Sequence, residues 1–197
     1  SGTRLRPHTL ARPKPLLPVA GKPILGHILD QVRAAGIRRL VLVTGSMGDQ
    51  ILTYAQSLGG LDRVERVEQG EALGLGHAIS VTRPVVGSSP MLIVYGDTVF
   101  GADLATVLAG HADLLLGVKR VDNPARFGVV VQEGDRVTRL VEKPATFVSD
   151  QAIVGVNVVW SSDLLYSCLE GLIAGDRRTR GEFQLTDGFQ LMLEAGA

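Results

Sequence analysis

The first 23 residues hold the densest chemistry in the chain. Gly2, Thr3 and Arg4 open a segment in which Lys14 and Lys22 stand among prolines at positions 7, 13, 15, 18 and 23. Small residues let backbone N–H groups approach phosphate oxygens with no side chain between them. Arg4 adds a planar fork of donors, and Lys14 a compact positive charge. The prolines fix φ and limit the freedom of the loop. A stiff loop carrying cations suits phosphoryl or nucleotidyl transfer, where catalysis is mainly positioning and charge stabilisation. It is not a Walker loop, because Gly-x-x-x-x-Gly-Lys-Ser/Thr is absent. A rigid surface loop with no ligand is the alternative reading of the same residues.

Two later stations carry groups suited to the same kind of substrate. Asp97 directly follows the apolar run 91–95, in Tyr95-Gly96-Asp97. A carboxylate at a strand end can hold a hard cation, and Mg2+ favours few carboxylates plus substrate phosphate oxygens. Capping of the next turn is the plain alternative. Gln69 opens the Gly-rich run Gln69-Gly70-Glu71-Ala72-Leu73-Gly74-Leu75-Gly76-His77-Ala78. Its amide is both donor and acceptor, so it can pair with the edge of a pyrimidine imide. Gly74 would let a base approach the backbone, while an exposed loop amide is the bland reading of Gln69. His8, His27, His77 and His111 show no metal-ligand spacing and read as structural.

Composition narrows the classes. Twenty basic and twenty acidic residues give a net charge of zero, unlike a nucleic-acid-coating protein. The zero hides an asymmetry. Residues 1–39 carry eight basic residues and one acid, and residues 1–27 carry five basic residues and no acid. A local cationic segment in a neutral chain suggests a compact anion, although acidic partners later in sequence explain it equally well. No apolar run approaches the ~18–20 residues of a membrane span. One cysteine, Cys168, cannot form an internal disulfide and reads as core. With no leader pattern at the start, a cytoplasmic setting is the expectation.

The elements that must position these groups follow from periodicity. Residues 24–35, 49–58, 74–82, 103–109, 162–173 and 182–195 predict helices, with Gly36 ending the first, Asp103 capping the fourth and Ser161 or Ser162 capping the fifth. Residues 39–44, 63–68, 91–95, 114–121 and 153–160 predict strands, the first and third of them buried and the second exposed or at an edge. Residues 128–131 and 137–141 flank Gly134-Asp135 like a hairpin. Strands alternating with helices argue for βαβ units and a mainly parallel, mixed sheet covered by helices on both faces. Ligands in such sheets sit beyond the carboxyl ends of the strands, which favours the turns after Thr44, Glu68 and Tyr95.

The order of the motifs resembles the sugar-1-phosphate nucleotidyltransferases. Gly2-Thr-Arg-Leu-x-Pro-x-Thr, then Pro13-Lys-Pro-Leu-x-Pro-Val-x-x-Lys-Pro23, is similar to that family's signature, with glucose-1-phosphate thymidylyltransferases and uridylyltransferases nearest. Gln69, Asp97, Glu142-Lys143 and Gly181-Glu-x-x-x-Thr-Asp187 follow in the expected order, so the resemblance covers nearly the whole chain. It implies an α/β, Rossmann-like nucleotide-diphospho-sugar transferase fold. It also implies transfer of a nucleotidyl group from a nucleoside triphosphate to a sugar 1-phosphate with release of pyrophosphate and Mg2+ as cofactor. Arg4 and Lys14 would be catalytic, and Gly2, Thr3, Arg4, Gln69, Gly74 and Asp97 would bind nucleotide, Asp97 through the metal. Gly128, Glu142 and Lys143 would bind the sugar phosphate, with a carboxylate for sugar hydroxyls and an ammonium for phosphate. A surface ion pair is the alternative for the last two.

Some stations differ from that family's pattern. Ile153-Val-Gly155 stands where many relatives have Asn-Ala-Gly, and a Trp-x-Asp-x-Gly-like segment with a second metal carboxylate is absent, since Asp176 and Asp187 do not match it. The expected organisation is therefore one nucleotidyltransferase domain over residues 1–197, without its first strand and its C-terminal part. Leu73-Gly-Leu-Gly-His-Ala78 is closer to uridylyltransferases and the opening loop to thymidylyltransferases, so UTP or dTTP and glucose 1-phosphate are the favoured substrates. Rival readings are a mannose-1-phosphate guanylyltransferase, the transferase part of a bifunctional enzyme, and a regulatory homologue that binds nucleotide sugar without turnover. No nucleic acid or membrane partner is expected, and a homo-oligomer stays open.

Overall fold

The structure is a computed structural model describing residues 12–110 and 112–197. Gly2, Thr3 and Arg4, with His8 and His111, lie outside the described residues. In chain order the elements are β1 (Pro18–Val19), β2 (Lys22–Pro23), α1 (Ile24–Ala34), β3 (Arg39–Thr44), α2 (Gly48–Ser57), β4 (Arg63–Glu68), α3 (Leu75–Ser80), α4 (Arg83–Val86), β5 (Met91–Val94), α5 (Leu104–Leu108), β6 (Leu114–Arg120), β7 (Gly128–Glu133), β8 (Arg136–Glu142), β9 (Gln151–Val159), α6 (Ser162–Ala174) and α7 (Leu185–Glu194). The described residues pack as two compact units, 12–70 with Val94–Gly110, and Glu71–Ile93 with 112–197.

In the first unit the apolar stripe Ile24, Leu25, Ile28, Leu29 and Val32 follows the 3.6-residue period and is buried along α1. Leu25 and Leu29 pack with Leu16, Leu42 of β3 and Ala55 of α2. β3 and β4 pair in parallel from Arg39↔Arg63 to Thr44↔Glu68, with α2 as the crossover between them. Ahead of α1, β1 and β2 form a short hairpin that the periodicity did not reveal. Its two-residue turn, Ala20-Gly21, has φ of 49° and 79°, the primed geometry that matches strand twist.

Asp103 caps α5 as expected. Its carboxylate accepts from the Ala105 and Thr106 amides at 3.1 and 3.4 Å and from the Thr106 hydroxyl at 2.6 Å. The Thr106 hydroxyl, ahead of the backbone donors, holds this carboxyl below its ordinary value. A carboxyl depressed in the folded state contributes stability above its unfolded pKa and loses it as pH falls through the folded pKa. Asp103→Ala is therefore expected to melt lower than wild type at pH 7, and the gap is expected to narrow as pH falls from about 4 down through the folded pKa. Paired thermal melts at pH 7 and pH 3 check this.

In the second unit β7 and β8 form an antiparallel hairpin from Gly128↔Glu142 to Glu133↔Arg136, turned at Gly134 (φ 61°). β9 pairs antiparallel with β6 and, through Ala152↔Val129, with β7, and β5 joins the same sheet beside β9. The expected parallel pairing is therefore realised in β3–β4, whereas β6 to β9 pair antiparallel. The β6–β9 ladder shifts register between Leu116 and Val118, and the displaced Gly117 amide donates to the side chain of fully buried Asn157 at 3.3 Å. α7 packs on α6, α3 and β8, burying Leu185, Phe189 and Met192 beside Leu165, Tyr166 and Leu169 of α6.

Three local expectations differ. Of β3 only Leu42 and Thr44 are buried, and of β5 only Ile93, so both strands keep more exposure than their apolar runs suggest. Ser161 stands before α6, but its hydroxyl donates to the Asp113 carboxylate and not to the helix end. The last helix begins at Leu185, not at 182, because residues 182–184 run extended against the loop before α3: the Phe183 amide donates to Leu73 O and its carbonyl accepts from Gly76 N, both at 2.8 Å. No helix among the described residues is long and apolar enough to cross a membrane.

Candidate active site

The first unit brings Lys14 and Asp97 together, and the local sequence explains how. Pro13-Lys-Pro-Leu makes a 3-10 turn at Lys14–Leu16, closed by the Leu16 amide on Pro13 O at 2.9 Å. Leu16 anchors the turn in the core with Leu25, Leu29 and Leu42, which fixes the turn from which Lys14 projects. Asp97 sits in the turn that ends β5, where the Thr98 amide donates to Tyr95 O at 3.0 Å. Pro15 lies over Gly96: a Cβ at position 96 would be 3.1 Å from the Pro15 Cγ, so glycine keeps the two turns in contact. The Lys14 ammonium and the Asp97 carboxylate then form an ion pair, about one-third and two-fifths exposed.

The cationic opening is thus partly balanced by acids from later in sequence. Lys22 pairs with Asp30, which also takes Arg33 in a 2.6 Å bond. Lys22 is the first cause, with Arg33 behind it, of a carboxyl held below its ordinary value. Gln69 follows β4 in the same unit, its backbone N–H donating to Thr44 O at 2.9 Å.

The second unit brings Gly128, Glu142 and Lys143 together. The hairpin register sets Gly128 directly opposite Glu142. Glu142 is nearly buried, and the Lys143 ammonium lies 3.2 Å from its carboxylate. A Cβ at position 128 would collide with the Thr186 hydroxyl and approach Glu142 Oε2 at 2.8 Å, so glycine is the residue that fits. Lys143 occupies the left-handed region with φ 42°, a conformation that costs on the order of 1–3 kcal/mol in a residue with a side chain. Its peptide is held on both sides. The Lys143 amide donates to Phe127 O at 2.8 Å, and Arg180 donates to the Lys143 carbonyl at 3.0 Å.

Arg180 and Thr186 were not singled out from sequence. Thr186 lies in the run Gly181–Asp187 and Arg180 directly before it, a stretch that reads as a helix start until the extended segment 182–184 is seen. Gly74 also takes a different meaning. Its φ is 111°, and a Cβ there would meet the Phe183 carbonyl at 2.5 Å and the Phe183 amide at 2.9 Å. The glycine is required here by chain packing. Gly74→Ala is expected to cost roughly 2–4 kcal/mol of stability, combining a left-handed alanine with a backbone clash. Denaturant unfolding of the variant beside wild type measures it.

The sequence profile described as Nucleotidyl transferase matches residues 1–197. The chain belongs to the nucleotidyl transferase family. It is 32% identical over 202 residues to the bifunctional protein GlmU of Methanococcus vannielii, covering 99% of this chain and 46% of that protein. It is 35% identical over 203 residues to a glucose-1-phosphate thymidylyltransferase of Streptomyces griseus, covering 100% of this chain and 56% of that protein. The chain thus spans about half the length of these relatives. A Bacillus anthracis protein provisionally assigned as a glucose-1-phosphate thymidylyltransferase, crystallised with sucrose, superposes with a TM-score of 0.82 at 27% identity, over 99% of this chain and 80% of that one. The α/β architecture is therefore the nucleotide-diphospho-sugar transferase fold. Within this family member, Lys14 and Asp97 meet in one unit, and Gly128, Glu142 and Lys143 meet in the other.

Proposed function

We propose that the chain is the catalytic part of a sugar-1-phosphate nucleotidyltransferase. It would join a nucleoside triphosphate, UTP or dTTP for preference, to a sugar 1-phosphate, glucose 1-phosphate for preference. The meeting of Lys14 and Asp97 across 83 positions of sequence carries this reading. It sets side by side a cation for phosphate oxygens and a carboxylate for a metal.

In this reading a sugar phosphate oxygen attacks the α-phosphorus in line. The new P–O bond forms as the bond to the bridging oxygen of the β-phosphate breaks, and pyrophosphate leaves with that electron pair. Lys14, with Arg4, offsets charge on the triphosphate and on the leaving group. Gly2 and Thr3 offer backbone N–H groups to phosphate oxygens. Lys143 holds the attacking phosphate, the Glu142 carboxylate accepts from sugar hydroxyls, and the Gly128 N–H faces the sugar. The Gln69 amide pairs with the imide edge of the base, and Gly74 gives the base room.

No protein nucleophile takes part, so the work of the side chains is orientation and charge. The acid present fits Mg2+ arriving with the triphosphate, because Asp97 is one part-exposed carboxylate and the phosphates supply further oxygens. Among the described residues no three His, Cys, Asp or Glu side chains gather into a protein cage for a metal. Bound there, the ion would neutralise charge on the phosphates. We place the reaction in the cytoplasm, where the lone free Cys168 needs no partner.

Pyrophosphate release by the full-length protein, measured with Mg2+ over UTP, dTTP and GTP against glucose 1-phosphate and mannose 1-phosphate, tests the reading. UTP or dTTP with glucose 1-phosphate is expected to be fastest. A maximum for GTP with mannose 1-phosphate would move the assignment to a guanylyltransferase. Tight nucleotide-sugar binding with no release from any pair would leave a regulatory homologue.

A further inference from the structure

We infer that Arg66 is a positioning residue for base recognition, setting the place of Gln69 by clamping three chain segments at the end of β3–β4. The inference rests on the base-reading role proposed for Gln69. Arg66 is on β4, three residues before Gln69, and its side chain is about four-fifths buried. Its guanidinium donates in three directions. Nε bonds the Thr44 hydroxyl at 3.0 Å, one terminal nitrogen bonds the Asp49 carboxylate, and the other bonds the Glu68 carboxylate at 3.3 Å. These partners stand at the last residue of β3, in the first turn of α2 and at the last residue of β4.

Gln69 is tied to the same point. Its backbone N–H donates to the carbonyl of Thr44, the residue whose hydroxyl Arg66 holds. Thr44 is buried, so neither bond is exchanged freely for water. Gly48 makes room for the clamp: a Cβ there would collide with both the Thr44 hydroxyl and the Arg66 Nε. A guanidinium suits this place because it is a rigid planar fork, and an ammonium at the end of a flexible stem cannot span three acceptors with the same geometry. With the clamp in place, the backbone on which the Gln69 amide is carried has one position. Without it, Glu68 and the start of α2 lose their common anchor, and the amide is presented over a range of positions. The effect should fall on the choice of base and not on the chemical step, since Arg66 is engaged by protein partners and not directed at phosphate.

The test is equilibrium binding of UTP, dTTP and GTP to the full-length protein without Mg2+, so that no turnover intervenes, together with kcat and KM in its presence. Gln69→Ala, Arg66→Met, Arg66→Lys and Thr44→Val are compared with wild type. Gln69→Ala is expected to lower the preference for UTP or dTTP over GTP by about 10-fold, the scale of one or two lost hydrogen bonds. Arg66→Met should lower the same preference by roughly 3- to 10-fold with kcat little changed, and Arg66→Lys should recover only part of it. Thr44→Val removes one of the three acceptors, keeps the carbonyl that holds Gln69, and should give a smaller loss of the same kind even if Arg66→Met does not fold. A change of preference in Gln69→Ala with none in the foldable clamp variants overturns the role of Arg66 and leaves base reading standing. Equal weakening of all three nucleotides in those variants also overturns it, since that is what a merely structural residue would do. No change of preference in Gln69→Ala overturns base reading by Gln69, and the role of Arg66 with it.

Discussion

Lys14→Met is expected to lower kcat/KM for pyrophosphate release by about 10²- to 10³-fold, the range seen when a group aimed at transition-state charge is removed. The methionine keeps the stem that projects from the 3-10 turn and removes only the ammonium. Folding should be nearly untouched, because Leu16 and not Lys14 anchors that turn in the core. The ion pair to Asp97 is open to solvent on both sides, and pairs of that kind contribute little to stability. The expected signature is therefore a large loss of turnover with a melting temperature close to wild type. Lys14→Arg should recover part of the rate, since it restores charge but replaces a compact ammonium with a broad fork. Turnover within a few-fold of wild type in Lys14→Met would remove the main cation from the mechanism.

The second large effect is expected at Gly128. Gly128→Ala adds one methyl group where the Thr186 hydroxyl and Glu142 Oε2 already stand. Both neighbours are more than nine-tenths buried, so neither moves aside cheaply. Overpacking of this kind costs about 1–3 kcal/mol of stability. The functional cost should be larger, because the residue pushed is the one proposed to receive sugar hydroxyls, and small misplacements of positioning groups can cost about 10²-fold in rate. KM for the sugar 1-phosphate should rise much more than KM for the nucleoside triphosphate. A variant that folds and shows equal changes in both would mean that Gly128 and Glu142 do not form a sugar subsite. Steady-state kinetics varying each substrate in turn separates the outcomes.

Much of the framework was legible because it rests on local rules. The stripe of Ile24, Leu25, Ile28, Leu29 and Val32, the cap at Asp103 and the turn at Gly134 each depend on a few neighbouring residues. The features that were not legible depend on distant partners. Residues 182–184 have a helical pattern but run extended, because their backbone groups bond the loop at Leu73 and Gly76. Ser161 looks like a cap until Asp113, 48 residues earlier, takes its hydroxyl. Antiparallel pairing of β6 with β9 is a matter of connection, and both strands would show the same apolar run in a parallel sheet.

The candidate site divides in the same way. Lys14, Asp97, Glu142 and Lys143 were singled out as candidates by residue type and motif order. That Lys14 reaches Asp97, that Lys143 adopts a left-handed backbone, and that Arg180 holds its carbonyl are tertiary facts with no local signature. Gly74 takes a structural meaning that its sequence context did not offer. The sequence suggests room for a base, and the fold shows a glycine needed against Phe183.

The most direct test of the account is phosphorus NMR of one reaction mixture, with full-length protein, Mg2+, glucose 1-phosphate, and UTP or dTTP. The account predicts that the triphosphate and sugar phosphate signals fall together while a nucleoside-diphosphate sugar and pyrophosphate rise in equal amounts, and that Lys14→Met slows both by the same factor. Orthophosphate as the only product, or pyrophosphate released without the sugar nucleotide, would contradict it.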